Sequence, residues 1–174
     1  DFNDINKNFQ KNGPFNGHTI LNLAVENESL KCVELLLTSG ADPNRWDVNE
    51  GTTPMHSAAN TSSHLRAILD LLILHGGNIN NGVSANGGSV LRAAVAKNNI
   101  EMVKYLLEKK VETVTKSFHE TALHAAAENN SYVIAEMLLE ANRGCVDYLR
   151  DENVRMTALM IASGNGYEIG RAHV

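Results

Sequence analysis

One short pattern recurs five times along the chain, and a sequence that resembles itself at a near-constant period has few folds open to it. Gly17-His18-Thr19-Ile20-Leu21-Asn22-Leu23-Ala24 aligns with Gly51-Thr52-Thr53-Pro54-Met55-His56-Ser57-Ala58 and with Gly87-Gly88-Ser89-Val90-Leu91-Arg92-Ala93-Ala94. His119-Glu120-Thr121-Ala122-Leu123-His124-Ala125-Ala126 and Arg155-Met156-Thr157-Ala158-Leu159-Met160-Ile161-Ala162 continue the series. The hydroxyl residues stand at 19, 53, 89, 121 and 157, giving spacings of 34, 36, 32 and 36. Four of the five starts are followed by a second apolar block: Cys32–Leu37, Ile68–Ile73, Met102–Leu107 and Ile134–Leu139. Its polar member (Glu34, Asp70, Lys104, Glu136) recurs at one place, as a helix with one outer face requires. Each unit therefore reads as helix, turn, helix. Ser39-Gly40-Ala41-Asp42-Pro43-Asn44 and His75-Gly76-Gly77-Asn78-Ile79-Asn80 close the first two second helices, with glycine where a helix end wants a left-handed residue. Lys110 and Asn142 hold that place in the next two; Asn is an accepted substitute and Lys110 costs local stability.

These residues resemble the ankyrin repeat family, most closely from Gly51 through Thr53-Pro54-Met55-His56-Ser57-Ala58-Ala59 to Leu71-Leu72 and Gly76, and again over Thr121–Ala127. The likeness runs from residue 17 to about 169, at spacings near the family's roughly 33. It implies an all-α solenoid of helix-turn-helix units joined by β-hairpin-like loops, with about four complete repeats and a partial fifth. The repeats are expected near 17–50, 51–86, 87–118, 119–154 and 155–170, as a single domain over 1–174, with 1–16 a lead-in and 171–174 a tail. By the same resemblance, Thr and His of the first helix bind one another or nearby backbone, alanines let helices approach, and the Leu pair fills the seam. No unit can bury its apolar face alone, so the end repeats are the weak points. The second unit has extra residues at Asn60-Thr61-Ser62-Ser63-His64, and the fifth lacks the Leu pair after Gly170. Asp4-Ile5-Asn6 has the form of the Asp42-Pro43-Asn44 close, so the expectation is a section of a longer array.

The resemblance implies a protein–protein interaction module that binds through loop tips and the concave face. The variable first-helix positions are Glu26 and Asn27, Asn60 and Thr61, Ala96 and Lys97, Glu128 and Asn129. The loop tips carry Arg45-Trp46-Asp47, Asn81-Gly82-Val83, Lys116-Ser117-Phe118 and Asp147-Tyr148-Leu149-Arg150. Trp46, the sole tryptophan, either anchors a partner, as Trp, Tyr and Arg do at hot spots, or packs on the neighbouring finger. Two alternatives stand beside the free adaptor: a cytoplasmic inhibitor resembling the acidic ankyrin inhibitors of Rel-type transcription factors, and the recognition or cytosolic region of a larger enzyme or channel. Leu36 and Asp42 ahead of Asn44 also look like the setting in which ankyrin asparagines are hydroxylated, though the turn alone explains the same residues.

Composition narrows the classes further. A net charge of -5 speaks against a phosphate backbone as partner, and 43% hydrophobic residues suffice for a core. No apolar run reaches the roughly 20 residues of a membrane-spanning helix, so the expectation is a soluble monomer. Cys32, within an amphipathic pattern, is expected in the core; with the distant Cys145 it fits a reducing compartment, cytoplasmic or nuclear, and offers no zinc cluster. His56 and His124 share one repeat position and are read as structural. No phosphate-binding glycine loop, nucleophile elbow, cofactor motif or convergent acid–base–nucleophile set is found, so no enzyme is expected.

Overall fold

A hydroxyl residue opens each first helix because a helix start leaves backbone N–H groups without partners. In the computed structural model, which describes residues 5–7, 17–48, 51–60, 65–80, 88–114, 121–145 and 157–165, with the backbone alone at Asn60 and Leu65, Thr19 accepts from Asn22 N at 3.0 Å, Ser89 from Arg92 N at 3.2 Å and Thr157 from Met160 N at 3.3 Å. The first helices are seven residues each: α1 Ile20–Glu26, α3 Pro54–Asn60, α5 Val90–Ala96, α7 Ala122–Glu128 and α9 Ala158–Gly164. The second helices run nine or ten: α2 Leu30–Thr38, α4 Leu65–Leu74, α6 Ile100–Glu108 and α8 Tyr132–Ala141. The described residues are thus all-α, and no strand occurs among them.

Two repeats carry histidine three residues after the cap. Thr53 N donates to His56 Nδ1 at 3.3 Å and Thr121 N to His124 Nδ1 at 3.2 Å, while each threonine hydroxyl lies 2.9 Å from the same nitrogen. A backbone N–H can only donate, so Nδ1 is an acceptor and the ring proton sits on Nε2. The first repeat has Asn22 in that place, fully buried. Its Oδ1 accepts from the Thr19 hydroxyl and its Nδ2 donates to Thr52 O of the next repeat at 3.3 Å.

Left-handed backbone marks both turns of a unit. Between first and second helices it falls on Glu28, Asn98 and Asn130, and after second helices on Gly40, Gly76 and Lys110. Asn98 and Asn130 suit this region, since Asn enters it more readily than a residue with a longer side chain. Asn142 departs from expectation: its backbone is extended, φ -156°. Helix α8 continues to Ala141, one residue beyond its counterpart in α2, and a 3-10 turn over Arg143–Cys145 follows. Asn142 closes the helix with its side chain, accepting from Gly144 N at 3.0 Å and donating to Thr113 Oγ1 at 2.9 Å.

The chain forms two compact units, Asp1–Asn86 and Gly87–Val174. In the first, α1 packs on α2 and α3, α3 on α4, and α2 on α4. The core is Leu21, Val25, Val33, Leu37, Met55, Ala58, Ile68, Leu69 and Leu72. In the second, α5 packs on α6 and α7, α7 on α8 and α9, and α6 on α8, around Leu91, Val95, Val103, Leu106, Leu123, Ala126, Ile134 and Leu138. Each buried leucine of the seam contributes about 1.5–3 kcal/mol. Glu34, Asp70, Lys104 and Glu136 all lie on exposed outer faces. Cys32 does not join the core; it is exposed, although Ile68 and Ile134 at the matching positions are buried. Its own helix gives it the right phase, and burial there requires a neighbouring helix.

Candidate functional site

Within the first unit, the arm leaving the first repeat presents the largest exposed side chains near a turn. Asp47 N donates to Thr52 O at 2.9 Å, a hairpin-type rung, and Val48 N donates to Gly17 O at 3.3 Å. The Asp47 carboxylate turns inward, 2% exposed, and accepts from Thr52 N at 2.9 Å and from the Thr52 hydroxyl. Extended backbone sends alternate side chains to opposite sides, so the neighbours of Asp47 face out: Trp46 is 56% exposed and Val48 57%. Arg45 is exposed beside them. Asp47, expected among the contact residues, is buried and holds the arm through Thr52. Val48 belongs to the exposed edge and was not expected there; the period-two alternation Trp46-Asp47-Val48 is its signal.

The first-helix ends contribute polar groups, several already engaged. Glu26 accepts from the Ser57 hydroxyl at 3.2 Å and lies 3.4 Å from His18 Nδ1. Asn27 turns its amide back to Leu23 O at 2.7 Å. In the second unit, Lys97 is exposed and Glu128 half-buried, while Asn129 Nδ2 donates to Val95 O at 3.2 Å and so ties consecutive repeats. Asn60 is the last residue of α3. Lys116, Phe118, Tyr148 and Leu149 lie outside the described residues, as does the expected long turn at 61–64.

The second unit also holds a groove of about 550 Å³ between α7, α8 and α9, walled by Leu123, Ala127, Ala135, Leu139 and Leu159 and rimmed by Tyr132, Glu136, Glu140 and Arg143. Residues 166–174 lie outside the described set.

Serine, histidine and glutamate meet at one place, and the geometry is wrong for nucleophilic catalysis. Ser57 gives its hydrogen to the Glu26 carboxylate, and the His18 imidazole lies on that carboxylate at 3.4 Å, an order unlike a nucleophile followed by its imidazole base. Among the described residues no three His, Cys, Asp or Glu side chains converge as metal ligands, and no helix is long and apolar enough to cross a membrane. Cys32 and Cys145 are free thiols; burial pushes the Cys145 thiol up, partly offset by its backbone hydrogen bond. Asn44 bonds to the exit turn of the next repeat, donating to Gly76 O at 2.9 Å and accepting from Asn78 N at 2.8 Å.

Stacked helix pairs with threonine- or serine-capped first helices, left-handed exits after α2, α4 and α6, and inter-repeat amide ties define a repeat scaffold that presents loops and helix ends. The family profile described as "Ankyrin repeats (3 copies)" matches residues 2–80, 21–117, 59–148 and 112–172, and the chain belongs to the ankyrin repeat family. Ankyrin repeats are protein-interaction modules as a class. The chain is 31% identical to the B-cell lymphoma 3 protein homolog of Mus musculus over 60% of its own length and 23% of that protein's. It is 35% identical to the transient receptor potential channel pyrexia of Drosophila melanogaster over 64% of its length and 11% of the channel's. A protein of Rickettsia felis named for its ankyrin repeats is 32% identical over 79% of this chain and 61% of its own length. The chain therefore spans a quarter or less of the first two relatives.

Proposed function

We propose that this chain holds a partner protein and performs no catalysis, with Arg45, Trp46 and Val48 as the centre of the contact in the first unit and the first-helix ends at Glu26 and Asn27 beside them. The observation that carries the reading is the exposed Trp46–Val48 pair on an arm fixed from behind by Asp47. A large aromatic held on a rigid backbone loses little freedom on binding, which is the economy a hot spot exploits. Asn60 in the first unit and Lys97 and Glu128 in the second supply polar rim contacts, and the loop residues Lys116, Phe118, Tyr148 and Leu149 extend the same role. An acidic chain with free thiols fits a protein partner in a reducing compartment, the cytoplasm or nucleus, and the chain acts as a monomer without nucleic acid, cofactor or metal.

The test is affinity purification with wild type and Trp46→Ala, followed by dissociation constants for the partner recovered by the wild type. Loss of the tryptophan is expected to cost about 2 kcal/mol, some thirty-fold in Kd. An unchanged Kd with intact helical content removes Trp46 from the site.

A second reading, the recognition region of a larger protein such as a channel, is favoured by the small share of the fly channel that the chain matches. The full open reading frame decides it. The inhibitor reading rests on the acidic array alone, and a pull-down with a Rel-homology domain tests it: retention supports it and no retention ends it.

A further inference from the structure

Asn6 and Asn44 make the same pair of bonds one repeat apart. Asn44 Nδ2 donates to Gly76 O at 2.9 Å and its Oδ1 accepts from Asn78 N at 2.8 Å; Asn6 Nδ2 donates to Gly40 O at 3.3 Å and its Oδ1 accepts from Asp42 N at 2.7 Å. Gly40 and Gly76 are alike in turn, with φ of 91° and 87°. Asn44 is the closing residue of a repeat and grips the exit turn of the repeat that follows. Asn6 grips the exit turn of the first repeat in the same way, so it holds the place of a closing residue.

The first repeat also leaves uncovered the face that its successors bury. Leu35 is 65% exposed, Ile20 37%, Cys32 is exposed and Leu36 half-buried. At the matching positions of the second repeat, Pro54, Ile68 and Leu72 are buried and Leu71 half-buried. In the fourth, Ala122, Ile134 and Leu138 are buried and Met137 half-buried. Within each unit the cover comes from the repeat before: α1 and α2 lie on α3 and α4, and α5 and α6 on α7 and α8.

We propose that the face formed by Ile20, Cys32, Leu35 and Leu36 is the seat of a further helix pair whose closing residue is Asn6. The occupant is a repeat of the same kind in the same polypeptide, its second helix lying along α2 as α2 lies along α4. Continuity with that interface and the bonds of Asn6 identify it.

The experiment joins a designed ankyrin helix pair ahead of Asp4, in register with Asn6 as its closing residue, and follows maleimide labelling of Cys32 beside urea unfolding. The extended chain is expected to label at Cys32 at least ten-fold more slowly than the chain alone and to unfold at higher urea. Leu35→Glu is expected to abolish both gains in the extended chain and to leave the unextended chain's unfolding midpoint unchanged. Cys32 labelling at an unchanged rate, a pair that does not fold onto the chain, or Leu35→Glu acting equally in both chains overturns the proposal. Protection of Cys32 in the unextended chain that grows with its concentration assigns the face to a second copy and overturns it as well.

Discussion

The most discriminating perturbation of the fold is at His124, because the same position carries asparagine in the first repeat and so offers an internal comparison. His124 is 0% exposed and its Nδ1 accepts from the Thr121 N–H, with the Thr121 hydroxyl at 2.9 Å. His124→Ala strands that buried N–H, at a cost of about 1–3 kcal/mol, because water cannot reach it. The hydroxyl can turn to another acceptor and adds less. The vacated ring volume adds a cavity term, bringing the total to about 3–5 kcal/mol. His124→Asn restores an acceptor for the Thr121 hydroxyl, as Asn22 does for that of Thr19, and leaves a smaller cavity, so it is expected to cost less than alanine, roughly 1–2.5 kcal/mol. Urea unfolding followed by far-ultraviolet circular dichroism measures both. Since repeats are stabilised by their neighbours, the loss concentrates in the second unit and broadens the transition. A His124→Ala midpoint equivalent to less than about 1 kcal/mol of destabilisation, or an asparagine variant as damaged as the alanine one, refutes the argument.

Lys110 occupies a left-handed turn where its counterparts are glycines, so Lys110→Gly is expected to raise stability by up to about 1 kcal/mol in the same assay. Gly77→Ala is expected to lower it by about 1–3 kcal/mol, because a Cβ there would stand 2.6 Å from Leu72 O, a backbone atom that cannot step aside. Thiol labelling of the native chain should modify Cys32 readily and Cys145 only on unfolding, as mass spectrometry of the peptides will show. Burial raises the Cys145 thiol above its ordinary value, so its contribution is fully present below that value and is lost as pH rises toward the raised one; Cys145→Ala should flatten the alkaline fall in stability.

The repeat register, the cap residues, the helix pairs and the Thr–His contact were legible in the sequence because each depends on residues within one unit. Thr121 and His124 lie three apart on one helix start, and no distant partner is needed to bring them together. Cys32, Asp47 and Asn142 were misread for the opposite reason. The phase of Cys32 in α2 is that of a core residue, but a helix face is buried only when something lies on it. Asp47 has the look of a solvated turn charge; its burial depends on Thr52 coming back across the arm with two donors. Asn142 follows from α8 running one residue further, which the 3-10 turn around buried Cys145 draws on. Of the exposed edge proposed for partner contact, Trp46 stands out by its chemistry and Val48 only by the alternation around Asp47.

The amide ties have a consequence for which residues the turns can carry. The side chains of Asn6 and Asn44 bond to main-chain groups of the next turn, a carbonyl and an N–H that every non-proline residue supplies. A joint of that kind reads position and ignores side-chain identity. The tie therefore makes no demand on the side chains of the turn it grips beyond the glycine that a left-handed backbone favours at Gly40 and Gly76.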